Sequence, residues 1–362
     1  SRPVVRGGGE FAGAVAAVAL AGAVQAQGVT LVGASQFDEN HAFTKTMREF
    51  ERLVTECYSG EVTFDLHLNS ELGLEKDYFE NMSQGIAVDY AVVSPAHMST
   101  FSQMAPLMDM PFLFRDLDHW NAAIDAGTLD PIADDILEQA DVRIIGYAGG
   151  GTRNVFATRP VTNMEELSGL SIRMQGAPIW TRVFDALGAA PTVIAYSEVY
   201  NAIQTGVIEA AENEAAGIEQ MKFYEVGPEV ALTQHAITVR PLSFANATYQ
   251  RLDAELQGCI DEAGAAAGQL GREIESSQDA EKLAAMEEKG WLTTREFTER
   301  DRMLELAQPV MLEYAEELGA LDVEQSPERT LLRVIRAGRV AGCGSDAAVT
   351  LTDHVLGRQV FV

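Results

Sequence analysis

Two arginines stand where this sequence can hold an anion. Arg173 lies inside a short apolar segment, Leu170 to Met174, and Arg153 follows the glycine run Gly149 to Gly151. A guanidinium donates two parallel hydrogen bonds to a carboxylate, so an arginine in a ligand-facing strand suits an organic acid. The same side chains also suit protein carboxylates, which this chain has in excess. Residue type and spacing leave both roles open.

A second set of polar side chains is Ser94, His97, Tyr196, Glu212, Asn213 and His235. Ser94 and the Glu212-Asn213 pair end predicted strands, Tyr196 precedes a predicted helix, and His235 lies in a predicted extended segment. An asparagine after a strand can donate to and accept from a ligand, although asparagine is also common in turns. The tyrosine is expected either to pack or to face a ligand, and histidines of this kind are most often packed in a core or solvated. We retain all six as candidate ligand-binding residues.

The common catalytic and metal signatures are absent from the sequence. It contains no G-x-S-x-G, H-E-x-x-H, G-x-x-x-x-G-K-[ST] or G-x-G-x-x-G, and its six histidines are scattered. Gly149 to Gly151 lacks the lysine of a phosphate loop, so we predict a tight turn after a strand there. We expect no catalytic residue, no metal and no cofactor. A hydroxy-acid enzyme stays open as an alternative, since it could use the same arginines.

Strands and helices alternate along the chain. Val29 to Ala34 predicts a buried strand, and Phe43 to Val54 carries apolar residues at helical spacing. Val62 to Leu66 alternates with a period of two, and Lys76 to Gln84 predicts a helix that stops at a glycine. Val88 to Val93 predicts the next buried strand. This order is typical of an open parallel α/β sheet, which binds ligands at the carboxyl ends of its strands.

A second α/β series begins after Gly151. Its predicted strands are Ser171 to Met174 and Ile208 to Glu212, Glu229 to Val239 is expected to cross between lobes, and Leu252 to Lys289 predicts a long helix. We therefore expect two α/β lobes joined by a hinge. Residues 27–150 with about 239–278 would form lobe I, and 151–238 with about 279–320 would form lobe II.

Composition excludes several classes of protein. The 362 residues carry 26 Lys plus Arg against 54 Asp plus Glu, a formal charge of −28, which disfavours nucleic acid and anionic membranes as partners. With 47% hydrophobic residues the chain can bury a core. We expect a monomer. Cys57, Cys259 and Cys343 are expected to be isolated thiols or, at most, one bridge and one thiol.

The two ends of the chain have distinct compositions. Arg2 and Arg6 precede an apolar run from Phe11 to Val24, which matches a secretory signal peptide with cleavage after Ala26. We therefore predict export. At the other end, residues 325–362 hold five arginines against three acids, and we expect a tail of uncertain structure over 321–362 with at most a short helix near 331–336.

The sequence resembles the DctP-type solute-binding proteins of tripartite ATP-independent periplasmic (TRAP) transporters. The resemblance runs from about Val29 to about Glu317. The segments that carry it are Asn69 to Gly73, Pro111 to Asp116, Leu167 to Arg173, Leu187 to Ala189, Ser197 to Tyr200, Ile203 to Gly206, Glu212-Asn213, Phe223 to Val226 and Thr233 to His235. In this order and spacing they are highly specific.

The resemblance implies a two-lobed periplasmic receptor that closes on a small organic acid and delivers it to the TRAP membrane subunits. It assigns the main bidentate contact with the ligand carboxylate to Arg173 and an assisting contact to Arg153. Tyr196 and Asn213 would line the pocket and His235 would lie near it. Ser94 and His97 occupy the corresponding first-lobe loop.

One departure from the family pattern affects the predicted pocket. Many relatives follow the Glu-Asn pair with proline, whereas this chain continues Glu214-Ala215-Ala216-Gly217. The loop is therefore expected to differ in shape and in ligand. A periplasmic sensor that presents its closed form to a receptor other than a permease remains a further alternative.

Overall fold

The computed structural model describes residues 28–319. The predicted signal peptide (1–26), the tail (321–362) with its short helix near 331–336, and Cys343 lie outside the described residues. Within the described range no helix is long and apolar enough to cross a membrane.

The described residues form a single mixed sheet with helices packed against it. The strands are β1 Val29–Ala34, β2 Val62–His67, β3 Tyr90–Val92, β4 Val142–Ala157, β5 Ser171–Met174, β6 Ala190–Val193, β7 Ala210–Asn213, β8 Glu229–Ala245 and β9 Thr293–Glu296. The helices are α1 Ala42–Cys57, α2 Glu75–Ser83, α3 Pro95–Met98, α4 Leu117–Asp125, α5 Asp130–Ala140, α6 Met164–Leu167, α7 Pro178–Ala186, α8 Val199–Gln204, α9 Ala215–Gln220, α10 Asn246–Tyr249, α11 Ala254–Glu288 and α12 Arg300–Glu317. Short 3-10 turns occur at Ala105–Met108, Tyr196–Glu198 and Phe223–Glu225.

Helix α1 shows how the sequence forms these elements. Its apolar residues recur every three or four positions, so Phe43, Met47 and Phe50 share one face and are buried against the sheet. His41 caps the helix, since its Nδ1 accepts a hydrogen bond from the backbone N–H of Phe43. The predicted helix over Phe43 to Val54 is confirmed.

The strand order is β2-β1-β3-β8-β4-β7-β5-β6, with β9 on β8. Strands β1, β2 and β3 pair in parallel in one half of the sheet, and β5, β6 and β7 pair in parallel in the other. Strands β4 and β8 pair with each other in an antiparallel manner and run through both halves. The expected parallel sheet is therefore correct for each half, but the sheet as a whole is mixed.

The prediction of a tight turn at Gly149 to Gly151 is wrong. Strand β4 continues through the glycines as far as Ala157, and the register with β8 shifts between Gly149 and Thr152. Gly149 has φ +113°, and a Cβ there would lie 2.3 Å from the carbonyl oxygen of Thr238. A glycine bulge thus lets one strand bend from the first half of the sheet into the second without ending.

Helix α11 packs along β4 and contacts both halves of the molecule. Its Gly268 permits close approach, because a Cβ there would lie 2.6 Å from the backbone nitrogen of Tyr147. A disulfide joins Cys57 at the end of α1 to Cys259 near the start of α11. Of the alternatives that the sequence left open, isolated thiols or at most one bridge, the structure therefore has the bridge.

Candidate ligand-binding site

A cavity lies between the two halves of the sheet, where the carboxyl ends of β1, β3, β5, β6 and β7 converge. Its lining residues are Gln36, Phe37, Phe43, Glu75, Ser94, His97, Arg153, Arg173, Gln175, Tyr196, Asn213, Glu214 and Arg240. Six of the eight residues expected from sequence line it: Ser94, His97, Arg153, Arg173, Tyr196 and Asn213. The strand-end rule thus selected side chains that the fold brings together at one cavity.

Arg173 is a buried cation without a carboxylate partner among residues 28–319. Only 3% of it is exposed, and its Nε donates to the carbonyl oxygen of Ile194 at 2.9 Å. Its Cζ lies 5.6 Å from the centre of the Tyr196 ring, within cation–π range. Burial lowers the pKa of Arg173 to about 10, so the group is still charged at neutral pH.

Arg153 also lines the cavity, but its donors are engaged by protein. Nε and Nη2 donate to the two carboxylate oxygens of Glu212 at 2.5 and 2.9 Å, and Nη1 donates to Glu214 at 2.7 Å. Burial opposes its charge, yet Glu212 and Glu214 together raise the pKa of Arg153 above its ordinary value. The ion-pair alternative that the sequence left open therefore describes Arg153 and not Arg173.

Glu212 and His235 stand behind Arg153 and do not line the cavity. Nε2 of His235 lies 3.2 Å from Glu212, and its Nδ1 lies 2.8 Å from the hydroxyl of Thr233. Burial lowers the pKa of His235, so the ring is neutral at neutral pH. Burial alone would raise the pKa of Glu212, but Arg153, helped by His235, brings it to about 2. This chain of contacts holds the Arg153 guanidinium in place.

Tyr196 and Asn213 are joined to each other. Nδ2 of Asn213 donates to the Tyr196 hydroxyl at 2.8 Å, and Oδ1 of Asn213 accepts from the backbone N–H of Glu214 at 3.0 Å. The bond orients the tyrosine ring beside Arg173. Both side chains are therefore fixed before any ligand arrives.

The first half of the sheet contributes a group built around Glu75. Its carboxylate accepts from Gln36 Nε2 at 2.8 Å and from the backbone N–H of Ser94 at 2.5 Å. Nε2 of His97 lies 4.0 Å from the same carboxylate, and burial lowers the pKa of His97. A carboxylate, an amide and a neutral imidazole are suitable partners for hydroxyl groups.

Sequence reasoning missed seven lining residues: Gln36, Phe37, Phe43, Glu75, Gln175, Glu214 and Arg240. Arg240 carried a usable signal, because it is an arginine in a buried apolar segment, as Arg173 is. Gln36 and Gln175 follow the ends of β1 and β5, so the strand-end rule could have found them. The two phenylalanines have no signal that separates a cavity wall from a core.

Arg240 is buried between two acids, one of which it shares with Arg153. Its guanidinium lies 3.5 Å from Asp109 and 3.3 Å from Glu214. No group of three or more His, Cys, Asp or Glu side chains within residues 28–319 is arranged to hold a metal ion. Among the described residues, the cavity thus combines one arginine without a carboxylate partner with two arginines already paired to acids.

The profile of the DctP family, bacterial extracellular solute-binding protein family 7, matches residues 33–317. A solute-binding protein of Sulfitobacter sp. strain NAS-14.1 is 54% identical over 310 residues, which cover 86% of this chain and 94% of that protein.

Solved structures agree with this match. A TRAP periplasmic solute-binding protein from Sulfitobacter sp. NAS-14.1 with bound α-D-taluronate is 55% identical, with a TM-score of 0.80 over 81% of this chain and 95% of that chain. One from Roseobacter denitrificans with bound L-galactonate is 28% identical, with a TM-score of 0.74 over 79% of this chain and 94% of that chain. These neighbours have the two-lobed fold expected from the sequence, and their family is periplasmic. This chain belongs to the DctP family of bacterial extracellular solute-binding proteins, as a TRAP-type solute receptor.

Proposed function

We propose that this protein captures a sugar acid in the cavity by its carboxylate and delivers it to a TRAP membrane permease. The observation that carries the proposal is Arg173, whose charge is buried without a carboxylate partner among the described residues. Burying an unpaired cation is costly, so the site is stabilised by an anion that completes the pair. A bidentate carboxylate fits the guanidinium.

The rest of the lining supports a hydroxylated acid. Glu75, His97 and Asn213 present acceptors and donors around the cavity, which suit the hydroxyl groups of a sugar. The relatives bound to taluronate and L-galactonate carry a ligand of this chemical class. Arg153 assists as a second cation near the ligand, while Glu212 and His235 position it without touching the ligand.

Closure follows from the same arrangement. The lining comes from both halves of the sheet, which β4, β8 and α11 connect. The acid first meets Arg173 in lobe II, and closure then brings Glu75 and His97 of lobe I over its hydroxyl groups. Lobe I comprises 27–150 with about 239–278, and lobe II comprises 151–238 with about 279–320.

Calorimetry on the purified protein tests the proposal. D-Taluronate, D-galacturonate, D-glucuronate and L-galactonate form the panel, and D-galactose is the matched control without a carboxylate. We expect at least one acid to bind with a Kd on the order of 1 μM, about −8 kcal/mol, and galactose to show no heat. Binding of galactose as tight as that of the acids would contradict capture by the carboxylate.

Delivery and export need separate measurements. Uptake of the bound acid into vesicles that hold the TRAP membrane subunits should depend on this protein, and uptake of equal rate without it would exclude delivery. We further propose that residues 1–26 direct export, so the secreted protein should begin at Gln27 and run as a monomer on size-exclusion chromatography.

A further inference from the structure

The charged side chains around the cavity differ in whether they have a partner of opposite charge. Three arginines and two carboxylates line it, and two further carboxylates contact those arginines from behind. The set is Glu75, Asp109, Arg153, Arg173, Glu212, Glu214 and Arg240. All of them are at most 5% exposed, so water screens these charges weakly. The site therefore has more negative groups than positive ones before a ligand enters.

Glu214 occupies a central position in this set. Its Oε2 accepts from Arg153 Nη1 at 2.7 Å and from Arg240 Nη2 at 3.3 Å, so one carboxylate serves two arginines. Although burial opposes ionisation, Arg240 and Arg153 lower the pKa of Glu214, and the group is charged at neutral pH. It also lines the cavity directly. Two of the three arginines, Arg153 and Arg240, are therefore paired with Glu214, a carboxylate that faces the cavity.

Arg153 and Arg240 each have a second acid partner, which completes the compensation of their positive charge. Glu212 binds Arg153 through both of its oxygens, and Asp109 lies 3.5 Å from Arg240. Arg173 is the arginine of the lining that has no ion pair among residues 28–319. One ligand carboxylate can therefore be matched by a protein cation in this cavity.

A second ligand carboxylate would find no other arginine of the lining without an ion pair among residues 28–319. On the lobe II side it would approach Glu214, and on the lobe I side it would approach Glu75, whose oxygens already accept from Gln36 and the Ser94 N–H. Like charges at contact distance in a buried site disfavour one another strongly. A hydroxyl group at the same place would instead donate a hydrogen bond to either carboxylate.

We propose that Glu214, by occupying Arg153 and Arg240, restricts the cavity to ligands that carry one negative charge. The substrate class is then the hydroxylated monocarboxylates, such as hexuronates and aldonates, and the aldarates with two carboxylates are refused. This inference rests on the proposed capture of a sugar acid by Arg173.

The test compares acids that differ by one charge. L-Galactonate and galactarate have the same carbon chain, but the terminal hydroxymethyl group of L-galactonate is a carboxylate in galactarate. D-Galacturonate is measured beside them. Calorimetry at about pH 8 keeps Asp109, whose pKa burial raises to about 7, mostly ionised. The proteins are the wild type, Glu214→Gln and the control Glu313→Gln, which makes the same charge change at an exposed position of α12.

We expect the wild type to bind the better monocarboxylate at least about 100-fold more tightly than galactarate, since the uncompensated charge stays buried. In Glu214→Gln this ratio should fall at least about 10-fold, because a neutral amide leaves Arg240 and Arg153 undercompensated. The ratio in Glu313→Gln should equal that of the wild type. Should Glu214→Gln not fold, Asp109→Asn removes the other partner of Arg240 and should shift the ratio in the same direction.

Two results overturn the inference while the proposed function stands. One is galactarate binding to the wild type as tightly as the monocarboxylates, a measurement that needs no variant. The other is an unchanged ratio in a folded Glu214→Gln or, in its place, Asp109→Asn. If neither monocarboxylate nor any other sugar acid binds the wild type, the proposed function itself fails and the inference falls with it.

Discussion

The Arg153 guanidinium meets the Glu212 carboxylate side on, with Nε to Oε2 at 2.5 Å and Nη2 to Oε1 at 2.9 Å. This two-point pairing is the geometry that a ligand carboxylate would adopt, and here a protein side chain provides it. Arg173, in the same cavity, has no such partner among the described residues. The difference between the two arginines assigns them different tasks.

Replacing Arg173 tests the primary contact. Arg173→Ala should lower the affinity for the best sugar acid at least about 100-fold, because a charged hydrogen-bonded contact in a desolvated site is lost. Arg173→Lys should also bind poorly, since an ammonium is a point charge and lacks the two-point fork. Calorimetry measures the affinity, and circular dichroism checks that each variant folds.

The matched control is Arg302→Ala, whose side chain is 56% exposed on α12 and pairs with Glu305. It should bind as the wild type does. Affinity of a folded Arg173→Ala variant close to that of the wild type would show that another group holds the carboxylate.

The disulfide between Cys57 and Cys259 should contribute to stability and not to binding. It closes a loop of 202 residues in the unfolded chain, and constraints of this kind typically stabilise by about 2–5 kcal/mol. Cys57→Ser should therefore unfold at lower urea concentration, whereas its ligand affinity should match that of the wild type, because neither cysteine lines the cavity. Equal urea midpoints for both proteins would show that the disulfide does not contribute to stability.

The glycine bulge in β4 should tolerate no side chain. Gly149→Ala places a Cβ 2.3 Å from the carbonyl oxygen of Thr238 at a backbone φ of +113°, which should cost at least about 1–3 kcal/mol of unfolding free energy. The control is Gly258→Ala on α11, where a Cβ would meet nothing within 4 Å. That variant should be as stable as the wild type or up to about 1 kcal/mol more stable. A Gly149→Ala protein with unchanged thermal stability would mean that the backbone of the bulge shifts to accept a Cβ without loss of stability.

Asp279 on α11 should make stability depend on pH. Its oxygens accept from the backbone N–H groups of Ala215 and Thr152 at 2.9 and 3.3 Å, which ties the helix to α9 and to the β4 bulge. Burial raises the pKa of Asp279 to about 7; the bond from Ala215 opposes this shift, and Glu214 and Glu275 add to it. In the unfolded chain the pKa is about 3.9.

The direction of this pH dependence follows from how many protons the folded and unfolded states bind. Between about pH 4 and 7 the folded carboxyl holds a proton that the unfolded one has lost, so the contribution of Asp279 to stability falls as pH rises. Asp279→Asn removes this dependence. The stability of the variant relative to the wild type should rise by up to about 1.4 kcal/mol per pH unit across this window and level off above it. Urea unfolding at several pH values measures the difference, and a constant difference would contradict the raised pKa.

Local sequence patterns predicted several of the elements. The three- to four-residue spacing in α1 and the two-residue alternation in β2 depend only on neighbours along the chain, so both appear where expected. The bulge at Gly149 did not follow from such a pattern. A glycine run is compatible with a turn and with a bent strand, and pairing with β8 decides between them.

The amino-acid sequence alone indicated the α/β alternation, the strand ends that could hold a ligand and the arginines suited to a carboxylate. It could not tell Arg153 from Arg173, nor find the part that Glu214 and Arg240 take in the cavity. Those distinctions depend on contacts across separations of 26 to 61 residues, such as Glu214 with Arg240 and with Arg153. An ion pair is a matter of distance in space, and only the folded chain sets which charges meet and which one stays without an acid partner among the described residues.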